Sequence, residues 1–194
     1  MEDRKLTKSL YNLAIAGLIG EGEFDHLAKD IPLKIPFSRK KGFYLADLLK
    51  DGNLNSNLRI DPQKGQFTIH SHKILQSLKK QWYKDNTKIF SNILDPKLIN
   101  LDAIIISINL FGSRKLESIS IPTSIDKDYV KAISYCIEQH LKVPVIPGAN
   151  QIKITNIPQF IDSVITEIPT IHSAELINFL TVKEKKRLVE GVSL

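Results

Sequence analysis

Glu21 closes the stretch Ile15-Ala16-Gly17-Leu18-Ile19-Gly20-Glu21-Gly22, whose small residues at 16, 17 and 20 let another helix backbone come close, while Gly22 ends the helix and turns the chain. A carboxylate presented at a helix end is a hard oxygen ligand suited to Mg²⁺. Phosphodiester cleavage through metal ions needs charge neutralised on the attacking and leaving oxygens together, and therefore a second such acid. The five-residue step from Ala16 to Glu21, applied to the later apolar stretch from Ile106, ends on Phe111, followed by Gly112. A phenyl ring binds no metal. Asp102 lies about two helical turns too early and Glu117 falls beyond the turn, so neither replaces it. The same step links Ala46 to Asp51, but Asp51-Gly52 is also a common way to end any helix. The first stretch reads as a helix that ends by presenting a carboxylate, Glu21, and the second as its partner with the carboxylate gone; a plain helix-end carboxylate is the alternative reading of Glu21.

A formal charge of +6 and an isoelectric point near 9.3 favour an acidic partner such as nucleic acid. Hydrophobic residues at 42% and charged ones at 25% exclude disordered and fibrous classes. The run Ala103 to Phe111 is too short for a membrane span and contains Ser107 and Asn109, so no membrane role is expected. The single Cys136 rules out an intramolecular disulfide and reads as a small buried hydrophobe, which suits a reducing compartment. Glu2 and Asp3 argue against a cleavable transit peptide. The abundance of Ile, Lys and Asn fits an AT-rich organelle genome, mitochondrial rather than chloroplast.

Leu6, Leu10, Leu13, Ala14, Gly17 and Leu18 recur at helical spacing and predict a helix over 5–20. Phe24 and the run Pro32 to Phe37 read as a short hairpin, followed by a helix over 39–50 with Phe43, Leu45, Ala46 and Leu49 inward. Leu58 and Ile60, then Phe67 and Ile69, alternate around a Pro62-Gln63-Lys64-Gly65 turn; a helix over 72–83 carries Ile74, Leu75, Leu78 and Trp82. The order then repeats: a helix over 96–110, a strand over 116–121, a helix over 127–141, strands near 143–146 and 151–155, and a helix over 157–168. At an offset of 85, Pro62 to Ile69 aligns with Pro147 to Ile154, apolar on apolar. The division is a first repeat over 1–84, a linker over 85–94, a second repeat over 95–170, and a C-terminal cap and basic tail over 171–194. Lys183 to Arg187 reads as a solvated helix face.

These segments, with Leu78 to Tyr83, Lys88-Ile89 and Leu94-Asp95-Pro96 leading into the second motif helix, resemble the LAGLIDADG homing endonucleases in their single-chain, two-repeat form. Ile119-Ser120-Ile121, Tyr129-Val130, Leu141-Lys142-Val143, Ile152-Lys153-Ile154, Pro158 and Phe160 are similar to the family's second repeat in the same order. The resemblance implies an α+β fold of two pseudo-symmetric αββαββα repeats whose antiparallel sheets form a saddle, in a monomer with internal pseudo-twofold symmetry. It implies motif helices packed at the centre whose final acids help hold divalent metal. Glu21 is then a vestige or the single remaining acid, a metal ligand only if the protein cuts DNA with Mg²⁺; otherwise no cofactor is expected.

On that scaffold a two-stranded ribbon lies in a nucleic-acid groove and alternate side chains face it. Alternation selects Lys34, Arg59, Asp61, Gln66, Thr68 and His70 in the first repeat, with Lys64 in the turn, and Ser118, Ser120, Gln151, Lys153 and Thr155 in the second. Arg39, Lys40 and Lys41, at a helix start, are placed for phosphate. Any half-exposed antiparallel sheet shows such a polar face, which is the plainer reading. His26, His70, His72, His140 and His172 have no metal-ligand spacing beyond His70 and His72, and read as structural or surface residues. Trp82 and Tyr83 could stack on a base, but read better as core. The first hairpin is short and the second repeat lacks most of its first strand, which shrinks the base-reading surface. Together these features predict a cleavage-inactive protein binding structured RNA, as an intron maturase or a component of an organellar ribonucleoprotein such as a ribosome, beside other subunits. DNA is the alternative target, with an active endonuclease as the second hypothesis and a protein-interaction module as the third.

Overall fold

The computed structural model describes residues 2–28, 30–54, 56–70, 73–90 and 99–190. His72, residues 91–98 with Leu94-Asp95-Pro96 and the expected start of the second motif helix, and the side chain of Leu6 lie outside the described residues.

Helix α1 (Glu2–Ile19) leads into β1 (Glu23–Phe24) and β2 (Leu33–Pro36). A 3₁₀ turn over Arg39–Lys41 precedes α2 (Gly42–Asp51), β3 (Leu58–Asp61), β4 (Gln66–Ile69) and α3 (Lys73–Trp82). A small hairpin, β5 (Tyr83–Lys84) and β6 (Thr87–Lys88), follows. The order recurs as α4 (Leu101–Phe111), β7 (Ser113–Lys115), β8 (Ser118–Pro122), α5 (Lys127–Leu141), β9 (Val145–Pro147), β10 (Gln151–Thr155) and α6 (Ile157–Val164). The chain continues through α7 (Thr170–Leu176), a 3₁₀ turn over Ile177–Phe179, and α8 (Val182–Val189).

The two sheets have the same order, β1-β2-β4-β3 and β7-β8-β10-β9, and form the two halves of the saddle. Their registers correspond: Leu33 opposes Ile69 as Ile119 opposes Ile154, and Lys34 opposes Thr68 as Ser120 opposes Lys153. The 85-residue offset seen in the sequence is therefore a structural equivalence of β4 and β10.

α1 packs along α4 at the centre. Every residue of α4 from Ala103 to Leu110 is buried, so its apolar surface runs around the whole helix, as for an element enclosed on all sides. Asn100 caps it by accepting from the Ala103 amide at 2.9 Å. Gly17 lets α1 lie directly on β2: a Cβ there would come 2.5 Å from Ile35 Cδ1.

Three expectations are corrected. Phe43 and Ala46 do not face inward. Phe43 is 90% exposed, and the buried stripe is Tyr44, Leu45, Leu48 and Leu49, because the α-helix proper starts only after the 3₁₀ turn and its phase shifts. Ile60 is 41% exposed because β3 is an edge strand. The expected strand over 116–121 is a hairpin, β7 and β8, turning at Leu116 and Glu117 with Leu116 at φ 54°, so the second repeat does have its first strand. Within the segment 85–94 between the repeats, Thr87 and Lys88 form β6.

The C-terminal cap docks through polar contacts. Tyr44 Oη and His172 Nδ1 lie 2.8 Å apart, Asn109 Nδ2 donates to the His172 carbonyl at 3.1 Å, and Lys41 pairs with Glu175. Burial pushes the His172 imidazole below its ordinary 6.5, against the pull of Asp102 and Asp51. The unfolded chain therefore takes up this proton at a higher pH than the folded chain does, and stability is lost as pH falls below 6.5. Thermal unfolding followed by circular dichroism between about pH 7 and pH 5 should show a fall in Tm that is smaller in His172→Gln. An equal fall in both proteins would contradict the assignment.

Candidate nucleic-acid interface

The two motif helices end side by side, each followed by a glycine, with a bond that reaches back five residues in the first and four in the second. The Gly22 amide donates to the Gly17 carbonyl and the Gly112 amide to the Ile108 carbonyl, each at 2.8 Å, and a strand begins at the next residue. Glu21 precedes the first glycine and Phe111 the second. Glu21 is exposed. The Phe111 ring lies against Gly20, where a Cβ would come 2.7 Å from Cδ2, and fills the space between the helix ends. Asp102 lies at the far end of α4, paired with Lys8 at 3.2 Å and accepting from Asn12.

Lys88, which in the sequence is only part of the passage between the repeats, stands at this centre. It is 3% exposed, and its Nζ donates to the carbonyls of Gly20 at 2.9 Å and Gly22 at 2.8 Å. Glu23 Oε1 lies 3.6 Å away. Burial pushes the Lys88 ammonium down to about 8, while the charges of Glu23 and then Glu21 pull it back up. Glu23 in turn accepts from the hydroxyls of Tyr83 and Ser124. Burial first, and Glu23 second, raise the Tyr83 phenol. A positive charge at the C-terminal end of α1 also suits the helix dipole.

A hard divalent cation does not fit this donor set. Glu21 is exposed, the second helix carries Phe111 at the matching position, and the carbonyls of Gly20 and Gly22 on either side of Glu21 already accept from an ammonium. Among the described residues no three His, Cys, Asp or Glu side chains converge as a metal site.

Arg59 in β3, Lys40 in the 3₁₀ turn and His70 just after β4 are exposed. Lys34 is exposed but pairs with Asp25 at 2.7 Å, and Lys64 pairs with Asp61 at 3.7 Å, so both charges are locally balanced. Lys41 turns inward to Glu175 and over the Phe179 ring, which removes it from the expected phosphate set. Arg39 donates to the Gln63 carbonyl. Gln66 donates to Thr68 at 3.5 Å. In the second repeat Ser120 is 3% exposed rather than open, and its hydroxyl donates to Gln151 Oε1 at 2.6 Å. Ser118 and Thr155 donate to the carbonyls of Lys115 and Pro144, and Lys153 is half-buried beside them. Trp82 is core, packed edge-on against Phe90.

A helix–sheet unit repeated in this way, with two central helices ending together, is a homing-endonuclease-like fold. Among solved structures, the homing endonuclease I-WcaI bound to its DNA recognition sequence matches over 96% of this chain and 91% of its own, with a TM-score of 0.53 and 12% identity. Full-length DUF199/WhiA from Thermatoga maritima matches over 98% of this chain and 71% of its own, with a TM-score of 0.50 and 11% identity. No protein-family model and no curated protein matches the sequence. At such identities the likeness establishes the fold.

Proposed function

We propose that this chain is a LAGLIDADG-type protein that binds nucleic acid without cutting it, and that its target is structured RNA within an organellar, mitochondrial ribonucleoprotein, as a ribosome component or an intron maturase. The observation that carries the reading is the centre itself. Phe111 takes the position in the second helix that Glu21 takes in the first and packs on Gly20, and Lys88 places an internal ammonium on the Gly20 and Gly22 carbonyls. With Phe111 where the second helix would supply its acid, and with Glu23 engaged by Lys88, Tyr83 and Ser124, a two-metal displacement lacks its second ligand, and in this reading the protein acts without Mg²⁺. Both repeats lie in one chain, which makes it a pseudo-twofold monomer.

Strand length supports RNA. The strands of the two sheets run from two to five residues, so the longest reach about 17 Å, the rise of roughly five base pairs. A ribbon so short suits shaped or single-stranded elements better than a long duplex site. The net charge of +6 and the fold it shares with a DNA-bound homing endonuclease support nucleic acid as the partner class.

The test is native purification at low salt, with sequencing of the accompanying nucleic acid before and after RNase. Enrichment of one intron or of ribosomal RNA is expected. Recovery of a discrete DNA site, or of a protein partner that persists after nuclease treatment with no nucleic acid, would overturn the reading. In parallel, DNA incubated with the protein and Mg²⁺ should stay intact, and Glu21→Gln should leave RNA affinity within about twofold. Cleavage that Glu21→Gln abolishes would establish an endonuclease instead.

A further inference from the structure

The positions that flank the two motif glycines differ in charge between the repeats. Before Gly22 stands Glu21, and after it come Glu23 in β1 and Asp25 just beyond that strand. Around Gly112 the corresponding residues are Phe111, Ser113 and Lys115. The strand registers support the correspondence, since Glu23 opposes Lys34 as Ser113 opposes Ser120. Three acids in the first repeat are thus matched by an aromatic, a hydroxyl and an ammonium in the second. Asp25 and Glu23 are balanced by Lys34 and Lys88, so the first set offers a phosphate-bearing ligand no attraction, whereas Lys115 in the second does.

The second set borders a cleft of about 350 Å³, lined by Phe111, Ser113, Lys115, Ser120, Asn150 and Gln151 among others. The Ser120 hydroxyl fixes the amide at one side of it by donating to Gln151 Oε1, which leaves the Nε2 hydrogens for a ligand. An aromatic ring, two carboxamides and an unpaired lysine are the groups that hold a base by its face, its edge and its phosphate.

We propose that this cleft, between Phe111 and Gln151 on the second repeat, binds one unpaired nucleobase of a single-stranded nucleic-acid segment, with the adjoining phosphate on Lys115. The proposal rests on the nucleic-acid-binding reading and adds to it where the segment is held and by what contact. It also gives Phe111 a role beyond filling the gap between helix ends. A duplex, whose bases are stacked and paired, does not use the cleft.

The test is a fluorescence titration of the full chain at low salt with single-stranded RNA of about ten nucleotides carrying a central 2-aminopurine, and with the corresponding duplex as second probe. Binding of the single strand should change the 2-aminopurine emission through stacking. Phe111→Leu should remove that change and weaken single-strand binding about tenfold, and Gln151→Met should weaken it as well, with duplex binding unaltered in both. Thermal unfolding of each variant confirms that it is folded, and Gln151→Met, away from the helix interface, keeps the test open if Phe111→Leu is not. If both variants bind the single strand like the parent, the cleft is not a base site, while the nucleic-acid reading stands. If the parent binds neither probe, that reading fails, and the base site with it.

Discussion

Gly112→Ala is expected to lower the stability of the fold by about 3 kcal/mol or more, and Gly22→Ala by a similar amount, read as a shift of the urea midpoint at unchanged slope. At Gly112 a Cβ would lie 2.3 Å from the Ile108 carbonyl oxygen, and at Gly22 2.6 Å from that of Gly17. Both obstacles are backbone, in helices whose positions the core fixes, so neither can yield without moving a helix end. Two other glycines serve as controls. At Gly20 the obstacle is the Phe111 ring, a side chain only partly buried that can shift where backbone cannot, and Ala there should cost less. Gly42 has nothing within 4 Å and sits at the start of α2 with helical φ −60° and ψ −38°, so Gly42→Ala should be stabilising by about 0.5 kcal/mol. If Gly22→Ala and Gly112→Ala cost no more than Gly20→Ala, the close backbone approach is not what ends these helices. The contrast also separates architecture from chemistry at the centre: position 111 carries no carboxylate and the fold stands, whereas the glycine beside it is required by geometry.

The large features were legible because they rest on periodicity and on glycine. Leu10, Leu13, Ala14 and Leu18 announced α1, and Ile119, Ile121, Ile152 and Ile154 announced β8 and β10, since alternate or helical spacing of apolar residues leaves few other ways to bury them. Phase was less legible. Nothing in Ser38-Arg39-Lys40-Lys41 indicates that a 3₁₀ turn precedes the α-helix, and that turn rotated Phe43 from the expected core to the surface. The hairpin β7–β8 was hidden because its turn, Leu116-Glu117, lacks glycine and places a leucine at positive φ. The candidate site was half legible. The five-residue step found Glu21 and Phe111 together, but Lys88 could not be read as central, because its role depends on β5 and β6 carrying it to the end of a helix some seventy residues away. Charge neutralisation was equally invisible: Lys34 and Lys41 look alike in the sequence as free cations, and only the fold brings Asp25 and Glu175 to them.

Lys88 gives the second large expected effect. Its ammonium, which would ordinarily lose its proton near 10.5, is held by burial at about 8, so between these values the unfolded chain binds a proton that the folded chain has released. Stability therefore rises with pH across that window, by up to about 3 kcal/mol for a group this deeply buried. The sign is opposite to that of a surface lysine with a carboxylate partner, whose contribution disappears as the pH rises. The neutral amine keeps two N–H groups, so both carbonyl bonds, to Gly20 and Gly22, survive deprotonation and the helix end remains capped. Lys88→Met keeps most of the buried stem and removes the titration. Measured by chemical denaturation from about pH 7 to 10.5, the stability difference between the parent and Lys88→Met should move in the parent's favour as pH rises, while titrations common to both chains cancel. A difference that stays flat would mean that Lys88 titrates as it does in water and that its ammonium is not enclosed. A difference moving the other way would mean that Glu21 and Glu23 outweigh the desolvation, and the helix end would then be an ion-pair site rather than a sealed cap.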